Sequence, residues 1–294
     1  MLRTRLAALL AAVLMATGLA GVLTPSATAA SPCDTAPNWQ QGAWYTTGNV
    51  VRYNGAYYIA EHDNPGYDPT ISTWYWDPYN CGGSTPAPSG FVVSEAQFNQ
   101  MFPNRNSFYT YSGLTAALSA YPGFANTGSD TVKKQEAAAF LANVSHETGG
   151  LVHIVEQNTA NYPHYCDWSR PYGCPAGQAA YYGRGPIQLS WNFNYKAAGD
   201  ALGIDLLNNP WRVEREAAVA WKTGLWYWNT QTGPGTMTPH NAMVNQAGFG
   251  QTIRSINGSL ECDGKNPAQV QSRVNNYQRF TQILGVSPGG NLYC

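Results

Sequence analysis

Apolar and polar positions alternate in two different ways along the chain. Val50, Val51 and Tyr53 precede Asn54-Gly55, and Tyr57, Tyr58 and Ile59 follow it. Two β-favouring runs joined by Asn-Gly predict a hairpin over residues 49–60. From residue 91 onward helical spacing takes over. Ala137, Phe140, Leu141 and Val144 recur at i, i+3, i+4 and i+7, one face of a helix. Ser94 with Gln97 three residues on forms a capping box, a helix start. The pattern predicts helices over residues 94–102, 113–120, 131–146, 192–202, 213–229 and 267–284. The cluster Trp221, Leu225, Trp226 and Trp228 reads as core rather than as a ligand surface. The expected fold is a mainly α domain preceded by a small all-β module.

Residues 83–90 are a Gly/Ser/Pro linker between these two regimes. The expected organisation is therefore a module over 31–82, the linker, and a larger domain over 91–294. Ahead of them, Arg3 and Arg5 precede an apolar run over 6–23 and the small residues Ala27-Thr28-Ala29-Ala30. That is the pattern of a secretory signal peptide over residues 1–30, which predicts an extracellular protein. An N-terminal membrane anchor is the alternative reading. No later stretch is apolar enough to span a bilayer.

A secreted chain with six cysteines is expected to form disulfides. Sequence does not settle the pairing, but locality favours Cys33–Cys81, Cys166–Cys174 and Cys262–Cys294. There is no Cys-x-x-Cys and no His cluster at ligand spacing, so neither a metal nor a cofactor is expected. The net charge of −1 excludes nucleic-acid binding by bulk charge. With 19 Tyr and 10 Trp but only 11% charged residues, the composition suits a neutral polar ligand with flat apolar faces, such as a sugar polymer.

Acids are few, 17 in all, which makes Glu147 conspicuous. It lies three residues after Val144, on the apolar face of its helix. Either it is a structural carboxylate bonded to buried backbone, or it is a general acid with a pKa raised by burial. Gly149-Gly150 ends the helix just beyond it, where the helix dipole disfavours a negative charge. Glu156, nine residues on, cannot share the helix and can fold back towards Glu147. A protonated acid and a solvated carboxylate are the two parts needed to cleave a glycosidic bond. Downstream, Gln188, Ser190, Asn192 and Asn194 align neutral hydrogen-bonding groups beside aromatics. They form either a buried polar network or a surface for sugar hydroxyls and acetamido groups.

Three segments then carry a specific resemblance: 146–150 (HETGG), 182–190 (YGRGPIQLS) and 256–262 (INGSLEC). In order and spacing they resemble glycoside hydrolase family 19 chitinases of the compact bacterial type, over essentially all of 91–294. The resemblance implies a lysozyme-like helical fold with a loop-rich cleft. It also implies inverting endo-hydrolysis of β-1,4-linked N-acetylglucosamine. Glu147 matches the general acid, Glu156 the general base, and Ser190 a residue holding the attacking water. Gln188, Asn194 and Asn257 match substrate-binding positions, and Tyr182 is grouped with them. Glu261, Arg273 and His146 match a charged network around the catalytic pair and complete the substrate-binding set.

The block 31–82 resembles the small chitin-binding modules of carbohydrate-binding families 5 and 12, through Trp39, Gly42, Tyr45, Val51, Tyr53, Tyr58 and Ala60. Many relatives carry paired aromatics just after that Ala, whereas here Glu61-His62 stand there. Binding is then expected from Tyr67, Trp74 and Trp76, with one face of the Trp-Tyr-Trp run in the core. The expected partner is chitin and its oligosaccharides, bound by a monomer with no nucleic-acid or membrane partner. The alternatives are a muramidase-like peptidoglycan hydrolase on the same fold and, in another class, a non-hydrolytic chitin-binding lectin.

Overall fold

The computed structural model of the protein describes residues 33, 35–54, 56–72, 74–79 and 91–294. The predicted signal peptide, the linker and Cys81 lie outside the described residues.

The N-terminal residues form a three-stranded antiparallel sheet, β1 (Val50–Tyr53), β2 (Ala56–Ala60) and β3 (Trp76–Pro78), in the order β1-β2-β3. Tyr53 pairs with Ala56, so two residues close the predicted hairpin. Asn54 takes a left-handed φ of 49°, the conformation for which Asn is favoured in such turns. Trp76, the first residue of β3, is fully buried with Tyr45, Val51 and Ala60, whereas Trp74 lies before the strand and does not share its face. The Trp76 indole N–H donates to the Tyr67 carbonyl at 2.7 Å. The expectation that Trp76 contacts ligand is therefore corrected: both its ring and its polar handle are spent on the core. Trp74 and Tyr67 remain exposed, and His62 stacks on Trp74 at 4.2 Å.

The larger unit is helical: α1 (Glu95–Met101), α2 (Tyr111–Ala117), α3 (Asp130–Thr148), α4 (Asn192–Leu202), α5 (Arg212–Arg215), α6 (Ala217–Thr230), α7 (Pro239–Val244), α8 (Phe249–Glu261) and α9 (Pro267–Ile283). Helix starts follow local chemistry. Ser94 and Gln97 complete the predicted capping box of α1, and Ser129 caps α3. Thr238 and Asn266 cap α7 and α9, each followed by Pro at the first helical position. Glu216, in an extended conformation, splits the helix expected over 213–229 into α5 and α6. It accepts two hydrogen bonds from Arg212, at 2.6 and 2.8 Å.

Helix α3 is the centre of the unit. Every residue from Glu136 to Ser145 is buried, so it has no solvent face over that stretch. Phe140 packs against Phe124, Trp221 and Trp228. Burying one such side chain contributes about 1.5–3 kcal/mol. Glu136, wholly buried in this helix, accepts from the Trp228 indole at 3.0 Å and the Ala125 amide at 2.9 Å. It also pairs with His240 at 2.6 Å, and that bond raises the His240 pKa. Alongside α3 runs α9, which brings Arg273 to the end of α3 that carries Glu147. Two disulfides close loops, Cys166–Cys174 and Cys262–Cys294, as locality predicts. Among the described residues no helix is long and apolar enough to cross a membrane.

Candidate active site

The last turn of α3 ends at Gly149, whose φ of 63° is left-handed and suits glycine. The chain reverses there, with the Gly149 and Gly150 amides both donating to the Ser145 carbonyl. Glu147 is thereby left on the final turn, at the mouth of a cleft of about 530 Å³. After the reversal, the segment Ile154–Glu156 pairs with the chain around Gly183–Gly185: the Glu156 amide donates to the Gly183 carbonyl at 2.8 Å. Glu156 thus returns to line the same cleft as Glu147.

The two acids rest on different supports. Glu147 is not an isolated buried acid on an apolar stripe, because α3 is buried all round from Glu136 to Ser145 and Glu147, just beyond that stretch, is partly exposed. Its Oε1 accepts from the Arg273 guanidinium. Among the described residues no partner is found for Oε2, which leaves that oxygen for the cleft. Arg273 is fully buried and binds Glu261 through two bonds, at 2.7 and 2.8 Å, and Asn143 at 3.0 Å. Burial pushes the Glu261 carboxyl up, but the Arg273 hydrogen bonds and charge outweigh it and hold it below its ordinary value. Burial, and then the Arg273 charge, push His146 down, so its ring stays neutral at pH 7. Its nitrogens contact Ser272 at 3.0 Å and Gln269 at 3.3 Å. Arg273, Glu261 and His146 lie behind Glu147 rather than among the residues that line the cleft.

Glu156 is held by neutral donors. A short 3₁₀ helix, Thr159–Tyr165, delivers Asn161 and Tyr165, whose amide and hydroxyl donate to Oε1 at 2.8 and 3.0 Å. Only the Gly183 amide, at 3.4 Å, approaches Oε2. Burial, with help from Glu156, pushes the Tyr165 hydroxyl up to about 12, so it remains a donor at neutral pH. A Cβ on Gly183 would come within 2.9 Å of Gln188 Oε1, so a larger residue there would displace the Gln188 side chain.

Ser190 completes the set. Its hydroxyl donates to the Gln188 carbonyl at 2.8 Å, so its lone pairs face the cleft as acceptors. The three predicted amides line the cleft and are anchored through their N–H groups. Gln188 donates to Gly185 O at 3.0 Å, Asn194 to Ser190 O at 3.0 Å, and Asn257 to Glu261 at 2.7 Å. Their carbonyl oxygens are left to accept from hydroxyl or acetamido N–H groups. Trp191, 37% exposed at a φ of 74°, adds a flat apolar wall. Tyr182 does not line the cleft: its hydroxyl donates to Glu214 at 3.2 Å and its ring is stacked on Tyr162. Asn192 is wholly buried and clamps the Cys166–Cys174 loop through bonds to Asp167 and Gly173, which is the buried-network alternative for that residue.

Sequence reading missed Asn143, Asn161 and Tyr165. Asn143 carries a signal, as an amide inside an otherwise apolar helix. Asn161 and Tyr165 carry none, because a 3₁₀ segment with an internal Pro163 has no periodicity to read.

Residues 92–294 match the family model for glycoside hydrolase 19, chitinase class I. Among solved structures, a bacterial family 19 chitinase is 86% identical, with a TM-score of 0.69, covering 69% of this chain and all of its own. Chitinase C from Streptomyces griseus HUT6037 is 78% identical, with a TM-score of 0.70, covering 71% of this chain and all of its own. Endochitinase B of Zea mays is 50% identical over 189 residues, which span 64% of this chain and 63% of that protein's length. A family match over most of the chain, two carboxylates in one cleft and near-complete coverage of solved relatives converge: this chain belongs to glycoside hydrolase family 19, the class I chitinases.

Proposed function

We propose that this protein is a secreted endochitinase that cleaves β-1,4 linkages of N-acetylglucosamine polymers with inversion. The observation that carries the reading is the pair of differently supported acids in one cleft, each with one oxygen committed to the protein. Glu147 is the general acid. With Oε1 held by Arg273, it donates a proton from Oε2 to the leaving glycosidic oxygen. As the bond from C1 to that oxygen breaks, a water attacks C1 from the opposite ring face. Ser190 accepts a hydrogen bond from that water, and Glu156 Oε2 takes its proton. An inverting pair needs room for this water between its carboxyls. Gln188, Asn194 and Asn257 hold the sugar through their carbonyl oxygens.

Chitin and peptidoglycan share an alternating β-1,4 backbone, so the muramidase reading is separated by substrate. Turnover of soluble chitin oligomers well above that of purified cell walls is expected. Faster cell-wall turnover would overturn the assignment. The lectin reading requires a missing acid, whereas Glu147 and Glu156 are both present.

The N-terminal sheet is read as a chitin-targeting module. Trp74, 50% exposed and stacked on His62, and the exposed Tyr67 supply its flat faces. Sugar rings stack on such faces. Deleting residues 31–90 is expected to weaken attack on insoluble chitin while sparing soluble oligomers. Equal losses on the two substrates would contradict the targeting role.

A further inference from the structure

Arg184 is a cation only 2% exposed, outside the catalytic cleft and close behind it. Burying an ion pair costs desolvation, and an apolar side chain would fill the space as well. The Arg184 position is better explained by what it touches. Its Nε donates to Glu214 at 2.6 Å, and another guanidinium nitrogen donates to Ala180 O at 2.7 Å and the Tyr195 hydroxyl at 2.8 Å. These bonds fix the plane of the guanidinium. Its flat face lies over the Tyr182 ring at 3.6 Å. Tyr182 in turn stacks on Tyr162, at 3.6 Å between centroids and 10° between planes. At the end of this column, the Tyr162 hydroxyl donates to the backbone carbonyl of Glu156 at 2.9 Å. Meanwhile the Arg184 backbone exchanges bonds with Leu189, at 3.1 and 2.9 Å, between Gln188 and Ser190.

We propose that Arg184 is a positioning residue for the reaction, setting the place of Glu156 through the Tyr182–Tyr162 column and the place of Ser190 through its own backbone. This rests on Glu156 being the general base. A guanidinium suits the task because it is flat, permanently charged and held in a fixed fork, and it attracts a ring face electrostatically. Lysine supplies the charge but neither the fork nor the plane. None of Arg184, Tyr182 and Tyr162 lines the cleft, so the column is expected to act on the base's position and leave binding alone.

The test compares Tyr162→Phe, Tyr162→Ala, Arg184→Lys and the Tyr162→Ala/Arg184→Lys double variant with Glu156→Gln, in the full-length protein on a soluble chitin oligomer. Misplacement of a catalytic group by about 1 Å costs up to about 100-fold, so Tyr162→Ala is expected to lower kcat by about 10–100-fold with KM within about threefold. Tyr162→Phe, which keeps the stack and loses the hydroxyl, is expected to fall between it and the parent. Residues acting through one column are non-additive, so the double variant should be no slower than the worse single one. A purely structural role would lower the melting temperature and leave kcat intact at assay temperature. If Glu156→Gln is inactive while Tyr162→Ala keeps the parental kcat, the positioning role is overturned. If Glu156→Gln itself stays active, the base assignment fails and this inference with it. Should Arg184→Lys not fold, the Tyr162 pair still decides.

Discussion

Glu147→Gln is expected to lower chitin hydrolysis by about 10²–10⁴-fold, the usual contribution of a positioned general acid. The amide occupies the same volume and can still meet Arg273 through its carbonyl oxygen, so the fold and the cleft should persist. What disappears is the transferable proton on the oxygen facing the glycosidic bond. Binding to insoluble chitin, which is assigned to Trp74 and Tyr67 of the N-terminal sheet, should be nearly unchanged. The melting temperature is the control, since a loss of activity accompanied by unfolding would say nothing about proton transfer. Substantial residual turnover in a folded variant would refute the acid role. A loss of chitin binding equal to the loss of turnover would point instead to a structural carboxylate.

Arg273→Met carries the largest expected effect on stability. It removes the one cation from a buried cluster that holds Glu261, Glu147 and Asn143. Glu261 is 1% exposed and would be left buried with only Asn257 as partner. Breaking one side of a buried pair costs about 3–5 kcal/mol. For a unit of this size that is about 6–20 °C in melting temperature. The pH dependence has a definite sign. The folded Glu261 carboxyl lies below its ordinary value of 4.5, so its contribution is present above pH 4.5 and is lost as the pH falls through the folded value. The gap in melting temperature between parent and variant should therefore be widest near neutral pH and shrink in acid. A gap that stays constant or widens in acid would contradict this account. Turnover should also fall, because Glu147 loses the partner that fixes its Oε1.

Legibility followed the range of the interactions. Helix α4 was readable to the residue from its periodicity and the Gly203 stop, and α1 to within one at each end from its capping box. Helix α8 was not: a non-helical Asn257 interrupts it next to Gly258. The break at Glu216 was invisible: the residue is extended, yet its i, i+4 pairing with Arg212 is one that a continuous helix would also permit. In the site, the Gly149 stop placed Glu147 correctly, yet the face argument misjudged its surroundings. Periodicity assumes one buried face, whereas α3 is surrounded by α7, α8 and α9. The Arg273–Glu147 bond links residues 126 apart in sequence, and the Arg273–Asn143 bond links residues 130 apart. Spacing says nothing of such contacts, and only the family resemblance pointed to Arg273. Trp76 shows the converse limit: alternation presumes a strand through residues 74–76, whereas β3 begins only at Trp76, so Trp74 stays exposed and Tyr75 packs against the same core as Trp76.

The central claim is that Glu147 and Glu156 act as an inverting acid/base pair across a water. The direct measurement is the anomeric form of the first product released from a soluble chitin oligomer, followed by proton NMR before mutarotation. Attack of water opposite the leaving group converts the β linkage into an α-anomer at the new reducing end, and that is the expected result. A β-anomer as the initial product would mean a double displacement or substrate assistance, and would contradict the roles assigned here to both acids.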